Sequence, residues 1–307
     1  MSSSNSIHKK LINSSEMDST FIPNPKYIYK IIPIYAQNLA FEIKNGKKED
    51  GTNIELGELK EVPYQYFKLI QNNNSKFTIE SIYCKDKVIE VKNNKMTISS
   101  NIQLSHKTNI DKQLFHIVKE GENSYSILSS LDEHFCLDIQ SRGNKKGANV
   151  QLFKRNYSSA QLFKLIGKRN IYQSIEYALK YSIEKNPDYK ICEPNSANFC
   201  SQCLFEGGVE SDIIWNKDSD TFIDPTLLKQ YFCDRGIDWI KSPSLRDINP
   251  GDIVYKKFYE DKFDEPAFVI RKNNEEIIYC GNSIDVKEGY LKYNLIKAVL
   301  KTSFLYK

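Results

Sequence analysis

Histidine is scarce in this chain. Four occur in 307 residues, His8, His106, His116 and His134, so everything beyond residue 134 lacks the commonest general base. No run approaches the roughly 18 apolar residues that a membrane-spanning helix needs, and no membrane span is expected. The first ten residues, Met1-Ser-Ser-Ser-Asn-Ser-Ile-His-Lys-Lys, hold no apolar h-region. The expectation is synthesis in the cytoplasm without a signal peptide, with any release by lysis or within a spore-associated inclusion. Seven cysteines, an odd number with no regular spacing, read as thiols of a reducing compartment rather than a disulfide framework. A lone Cys200-x-x-Cys203 pair falls short of structural zinc, which usually shows two such pairs, so neither metal nor cofactor is expected. Net charge is +4 with Lys and Glu interspersed, and no block of one sign marks a nucleic-acid partner.

What is present is a repeat. Gln65, Gln113 and Gln161 each open a Gln-x-Phe triplet, and successive copies lie 48 residues apart. Glu42, Glu90 and Asp138 keep the same interval, as do Glu55, Gln103 and Gln151, and Leu56, Leu104 and Leu152. A register held without insertion implies three copies of one supersecondary unit, none able to bury its apolar side alone. Each copy shows short β-branched and aromatic runs broken by Asn, Gly, Ser and Lys clusters, such as Leu39-Ala-Phe-Glu-Ile and Phe135-Cys-Leu-Asp-Ile. That spacing predicts about four strands per copy and an all-β unit. Three such copies around a pseudo-threefold axis predict a β-trefoil over residues 25–168, preceded by a polar tail, 1–24.

Cys136-Leu-Asp-Ile, Gly147-Ala-Asn-Val-Gln-Leu-Phe and Ala160-Gln-Leu-Phe together resemble one repeat of the ricin-B-type lectin trefoils, with Phe where that family has Trp. The resemblance implies that Gln65, Gln113 and Gln161 are structural. It also implies a sugar site made by Asp138, Gln151 and Phe153: a carboxylate accepts hydroxyl protons, an amide orients, and an aromatic face covers the apolar side of a pyranose. The family Asn position is Ala160. The second copy has Glu90, Gln103, Ser105 and Lys112 at the matching places, and the first has Glu42, Glu55, Gly57 and Tyr64, so neither offers the stacking aromatic. One sugar site at most is expected, in the third copy, with a trefoil used only as scaffold as the competing reading.

Residues 169–307 change character. Ile171, Ile175, Ala178, Leu179 and Ile183 fall at helical spacing, with a stop before Asn186-Pro. A second helix is predicted from Ser196 to the Gly207-Gly208 pair and a third near Pro225 to Asp234. Strands are predicted at Ile253-Val-Tyr, Ala267-Phe-Val-Ile and Ile277-Ile-Tyr-Cys, with one long strand near the C-terminus. Helices followed by an antiparallel sheet make an α+β domain.

Tyr177-Ala-Leu-Lys-Tyr, Asn186-Pro, the Ser196-Ala-Asn-Phe-Cys-Ser-Gln run, Trp215 and Pro250-Gly-Asp together resemble the putative amidase domain, a papain-like cysteine-hydrolase family. Carried over by position, Asn195 stands at the family Asp, Ser196 at the nucleophilic Cys and Pro266 at the His, with the third polar residue at Asn282 or Ser283. A serine without a base is a poor nucleophile, and losing nucleophile and base costs about 10⁴ to 10⁶ in rate. The resemblance therefore implies a pseudo-hydrolase. The leading expectation is a non-catalytic carbohydrate-binding protein of a bacterial toxin or toxin accessory, with a glycan or glycoconjugate as partner and a protein partner on the amidase-like domain. The alternatives are a cell-wall or peptide amidase with a rearranged nucleophile, using Cys192, Cys200, Cys203 or an acid such as Asp252 or Glu265, and a structural protein of a spore or crystalline inclusion.

Overall fold

The computed structural model describes residues 21–72, 75–94, 97–256, 265–282 and 285–306. Most of the expected N-terminal tail, and Ser283, lie outside them. The chain is mostly β with few helices and divides into two compact units, residues 1–167 and 168–307.

Among the described residues the N-terminal unit contains twelve strands: β1 (Tyr27–Pro33), β2 (Leu39–Ile43), β3 (Ile54–Glu58), β4 (Phe67–Gln71), β5 (Phe77–Ser81), β6 (Lys87–Val91), β7 (Ser100–His106), β8 (Leu114–Gly121), β9 (Ser124–Ser129), β10 (Asp132–Ile139), β11 (Val150–Lys154) and β12 (Phe163–Arg169). Ten join in one antiparallel sheet, while β2 and β3 pair with each other. The closure is made by backbone. Gly51 N donates to Leu104 O (2.8 Å), Ser99 N to Leu152 O (2.9 Å) and Gly147 N to Leu56 O (2.7 Å). Donors and acceptors both step by 48 residues, and the last bond returns to the first copy.

The three Gln-x-Phe triplets do matching work. Each phenylalanine, Phe67, Phe115 and Phe163, is fully buried, and Phe163 meets Phe41 edge-on at 5.1 Å. Burying one such ring contributes about 1.5–3 kcal/mol. Each glutamine is also buried and clamps a loop. Gln65 Oε1 accepts from Lys60 N at 2.9 Å and its Nε2 donates to Glu58 O at 2.7 Å. Gln113 repeats this with Thr108 N and His106 O, and Gln161 with Asn156 N and Lys154 O.

In the C-terminal unit, α1 (Ile171–Tyr181) starts at an Asn170 side chain that accepts from Gln173 N. Helix α2 (Ser196–Glu206) is followed by α3 (Asp220–Ile223) and by α4 (Pro225–Asp234), which Asp224 caps ahead of a proline at its first position. Helix α1 ends at Tyr181, short of the Asn186-Pro stop, and Ile183 beyond it is exposed rather than part of the apolar stripe. Nine of the eleven residues of α2 are buried, from Ser196 to Leu204. A helix covered on all sides is a core element, here between the other helices and the sheet.

That sheet is antiparallel, in the order β13 (Trp239–Lys241), β18 (Ile296–Leu300), β14 (Ile253–Lys256), β15 (Pro266–Lys272), β16 (Glu276–Gly281) and β17 (Val286–Lys292). Alternation along the strands sends Ile253, Tyr255, Phe268 and Cys280 toward the helices. Val254, Ala267, Val269 and Ile277 go to a second apolar layer. The single long C-terminal strand expected from sequence is two strands, β17 and β18, broken by a turn at Tyr293–Leu295.

Candidate functional site

Strands β10 and β11 pair with Asp138 opposite Gln151 and Cys136 opposite Phe153. Residues two apart on a strand share a face, so Gln151 and Phe153 project to the side on which Asp138 lies. Gln151 Nε2 donates to Asp138 Oδ1 at 2.9 Å, and the Gln161 amide also bonds this carboxyl. Burial nevertheless dominates and holds the Asp138 pKa above its ordinary 3.8. A cavity of about 400 Å³ opens here, lined by Asp138, Gln140, Arg142, Gln151, Phe153 and Asn156 among others. Of its lining residues Asp138 and Gln151 are buried and Phe153 is half-buried. Gln151 Oε1 is buried with no hydrogen-bond partner among the described residues.

The matching places in the other copies are filled by their own side chains. Glu42 is one methylene longer than Asp138, and its carboxylate folds across Gly57: a Cβ built there would lie 1.7 Å from Glu42 Oε2. Gln65 Nε2 binds that oxygen at 2.9 Å, and Lys44 takes the facing Glu55 at 3.0 Å. In the second copy Glu90 accepts from Gln103 at 3.1 Å, Lys112 at 3.0 Å and Gln113 at 3.0 Å. The shorter Asp138, with Ala160 at the Lys112 place, leaves the third carboxylate uncovered by a cation.

Sequence reasoning missed Gln140, Ser141, Arg142, Asn156, Ser158 and Ser99 on the cavity wall. A usable signal existed for Asn156, which stands five residues before the Gln161 that holds its backbone.

In the C-terminal unit, Ser196 opens α2 and is buried, Pro266 opens β15 and is buried opposite Tyr255, and Asn282 is buried after β16. Asn195 and Asn282 are brought together, with Asn195 Nδ2 donating to Asn282 Oδ1 at 2.6 Å. A proline ring has no proton to take or give, so Pro266 cannot act as a base toward Ser196. Asn282 instead ends a one-way hydrogen-bond chain. Asn186 Nδ2 donates to Tyr177 OH (3.0 Å), which donates to Gln202 Oε1 (2.6 Å). Gln202 Nε2 donates to Asn198 Oδ1 (3.0 Å), and Asn198 Nδ2 to Asn195 Oδ1 (2.8 Å). Asn282 Nδ2 then closes on Tyr181 O at 2.5 Å. Every link is neutral, and Asn198 and Gln202 of the motif serve as its middle links.

All seven cysteines are free thiols. Cys200 and Cys203 are fully buried and their pKa values are raised by that burial, which disfavours the reactive thiolate. Burial also pushes Cys136 and Cys280 up to about 12 and raises Cys84. No group of metal-ligating side chains occurs among the described residues. Asp252, weighed above as an unusual base, is fully buried and paired with Lys301. Glu265 lies 3.4 Å from Lys256.

With this geometry in view, comparison with known proteins finds three kinds of similarity. A curated relative, the uncharacterized protein YhbB of Bacillus subtilis (strain 168), is 28% identical over 134 residues, covering 39% of this chain and 43% of YhbB. The chain thus spans less than half the length of the curated relative it matches. Among solved structures, the designed threefold-symmetric protein ThreeFoil is 19% identical, with 45% of this chain and 97% of ThreeFoil covered and a TM-score of 0.44. The Macrolepiota procera ricin B-like lectin, solved in complex with lactose, is 17% identical over 48% of this chain and 98% of its own, with a TM-score of 0.40. A mosquitocidal holotoxin is 10% identical, covering 92% of this chain and 33% of its own, with a TM-score of 0.45. Residues 168–262 match the family described as putative amidase domain.

Proposed function

We propose that this chain is a glycan-binding protein: a β-trefoil lectin module of three 48-residue repeats, with one sugar site in the third, joined to a papain-like domain that has lost its hydrolytic groups. The cyclic backbone bonds among Gly51, Ser99 and Gly147 support the trefoil reading. The observation that carries the sugar site is Gln151 Oε1, a buried acceptor without a donor among the described residues, on a residue that lines one cavity with Asp138 and Phe153. Buried polar atoms are almost always paired, and a sugar hydroxyl supplies the missing donor. Asp138 then accepts a second hydroxyl and Phe153 covers the ring. A single shallow site of this kind binds at about millimolar, so useful avidity needs several copies or an extended glycan.

The neutral chain supports the pseudo-hydrolase half of the proposal, since Asn195 and Asn282, the residues at the family's polar positions, bond to each other as amides and neither can take a proton from Ser196. In this reading the trefoil brings the chain to a glycosylated surface, the task such a module would have in a toxin or its accessory, and the amidase-like domain serves as a partner surface.

The test is a glycan-array screen of wild type against Asp138→Ala, with Gln151→Leu as a second variant. Binding by wild type that both variants lose supports the reading. Binding that survives in both places the site elsewhere, and no binding by wild type removes the lectin function.

A further inference from the structure

The turn that carries Ser141 and Arg142 into the cavity lining has counterparts in the other two copies, with a left-handed residue at Asn45, Asn93 and Ser141 alike. Asn45 and Gly46 have φ of 54° and 61°, Asn93 has 61°, and Ser141 and Arg142 have 54° and 51°. Glycine and asparagine accept this left-handed region, whereas a long side chain there is strained and points to a local purpose. The sequence places Gly46, Asn94 and Arg142 at one repeat position, so the third copy alone puts a cation there.

That cation is oriented. The Arg142 guanidinium lies 5.0 Å from the centre of the Tyr35 ring, and Tyr35 is itself fixed by donating its hydroxyl to Gly143 O at 2.8 Å. Arg142 lines the same cavity as Asp138. The hydrogen bonds that hold Asp138 come from Gln151 and Gln161, so the guanidinium is not spent on it. The second copy arranges charge the other way. Its cation, Lys112, sits on Glu90 and quenches it.

We infer that Arg142 makes the third-copy cavity selective for glycans carrying an anionic group, a carboxylate or a sulfate ester, beside the hydroxyls that Asp138 and Gln151 take. This rests on the sugar-site reading above and adds the charge of the ligand to it. A guanidinium matches both anions through paired, parallel N–H donors, which an ammonium does not.

The experiment compares galactose and glucose, each as the neutral sugar, the uronic acid and the 6-sulfate, displayed on a multivalent carrier. Wild type, Arg142→Asn, Arg142→Lys and Asp138→Ala are assayed. Asparagine suits the turn, so Arg142→Asn keeps the fold. Wild type should bind the anionic forms about fivefold more tightly than the neutral ones, with the preference shrinking as salt rises. Arg142→Asn should lose the preference and keep neutral binding, Arg142→Lys should retain part of it, and Asp138→Ala should lose every form. A preference for one anion alone identifies the ligand as carboxylated or sulfated. Equal wild-type binding of neutral and anionic forms, or a preference that survives in Arg142→Asn, overturns the inference while the sugar site stands. No wild-type binding of any form overturns both.

Discussion

Asp138→Asn should weaken sugar binding without weakening the fold. The native carboxyl is 5% exposed, and its pKa is raised by burial despite two amide donors. A raised carboxyl pKa means that the native state holds the proton more tightly than the unfolded chain does. Stability therefore falls as pH climbs from the ordinary value of 3.8 through the raised one, and the deficit persists above it. Asparagine has no charge to desolvate and keeps an oxygen for Gln151 Nε2, so the variant should melt at or above the wild-type temperature at neutral pH. The two curves should converge below pH 3.8. Binding moves the other way. Hydrogen bonds to a charged group contribute about 1.5–3 kcal/mol against about 0.5–1.5 for neutral ones. The difference, about 1–1.5 kcal/mol, predicts affinity roughly tenfold lower. The assay pairs thermal melts at neutral and acidic pH with a sugar titration. A clear drop in the neutral-pH melting temperature would refute the argument, because it would make the carboxylate a structural asset. Unchanged affinity would refute the site.

Gln113→Ala should cost about 3–5 kcal/mol in denaturant unfolding, since it strands Thr108 N and His106 O and takes one of three side-chain donors from the buried Glu90 carboxylate. A loss below about 1 kcal/mol would show that water replaces the amide. Asp212 receives Trp215 N, Ile214 N, Tyr231 and Arg235, and these bonds hold its pKa at about 2. Its stabilisation is present above the ordinary 3.8 and lost as pH falls through about 2, so Asp212→Ala should melt below wild type at neutral pH with a gap that closes on acidification. A gap independent of pH would make packing the cause. Wild type should hydrolyse peptide amides no faster than Ser196→Ala; a rate about tenfold above that variant would revive the enzyme reading.

The glutamine register was legible in the sequence because a loop clamped through both ends of one amide needs that amide in every copy, and Gln65, Gln113 and Gln161 supply it. The ring made by Gly51, Ser99 and Gly147 was not, since backbone donors impose no side chain. The trio Asp138, Gln151 and Phe153 could be read from the missing aromatics at Gly57 and Ser105. The length of Glu42 and the counter-ion on Glu90 emerged only from geometry. Arg142 was silent because a sequence does not display a torsion angle. Helices α1, α2 and α4 announced themselves through periodicity and caps. The hydrogen-bond chain did not, because its decisive link joins Asn195 to a residue 87 positions away.

The buried thiols give this chain internal clocks. An alkylating reagent attacks an exposed thiolate, and five of the seven cysteines are both buried and raised in pKa. Their modification must wait for the surrounding structure to open, so each labelling rate measures a local opening equilibrium. Cys84 and Cys136 time the N-terminal unit, and Cys200, Cys203 and Cys280 time the C-terminal one. Mass spectrometry of the intact, unmutated protein can thus follow the stability of both halves at once, with half-buried Cys192 as the unprotected reference. Adding a bound glycan should slow the first pair of clocks and leave the other three running at their own pace.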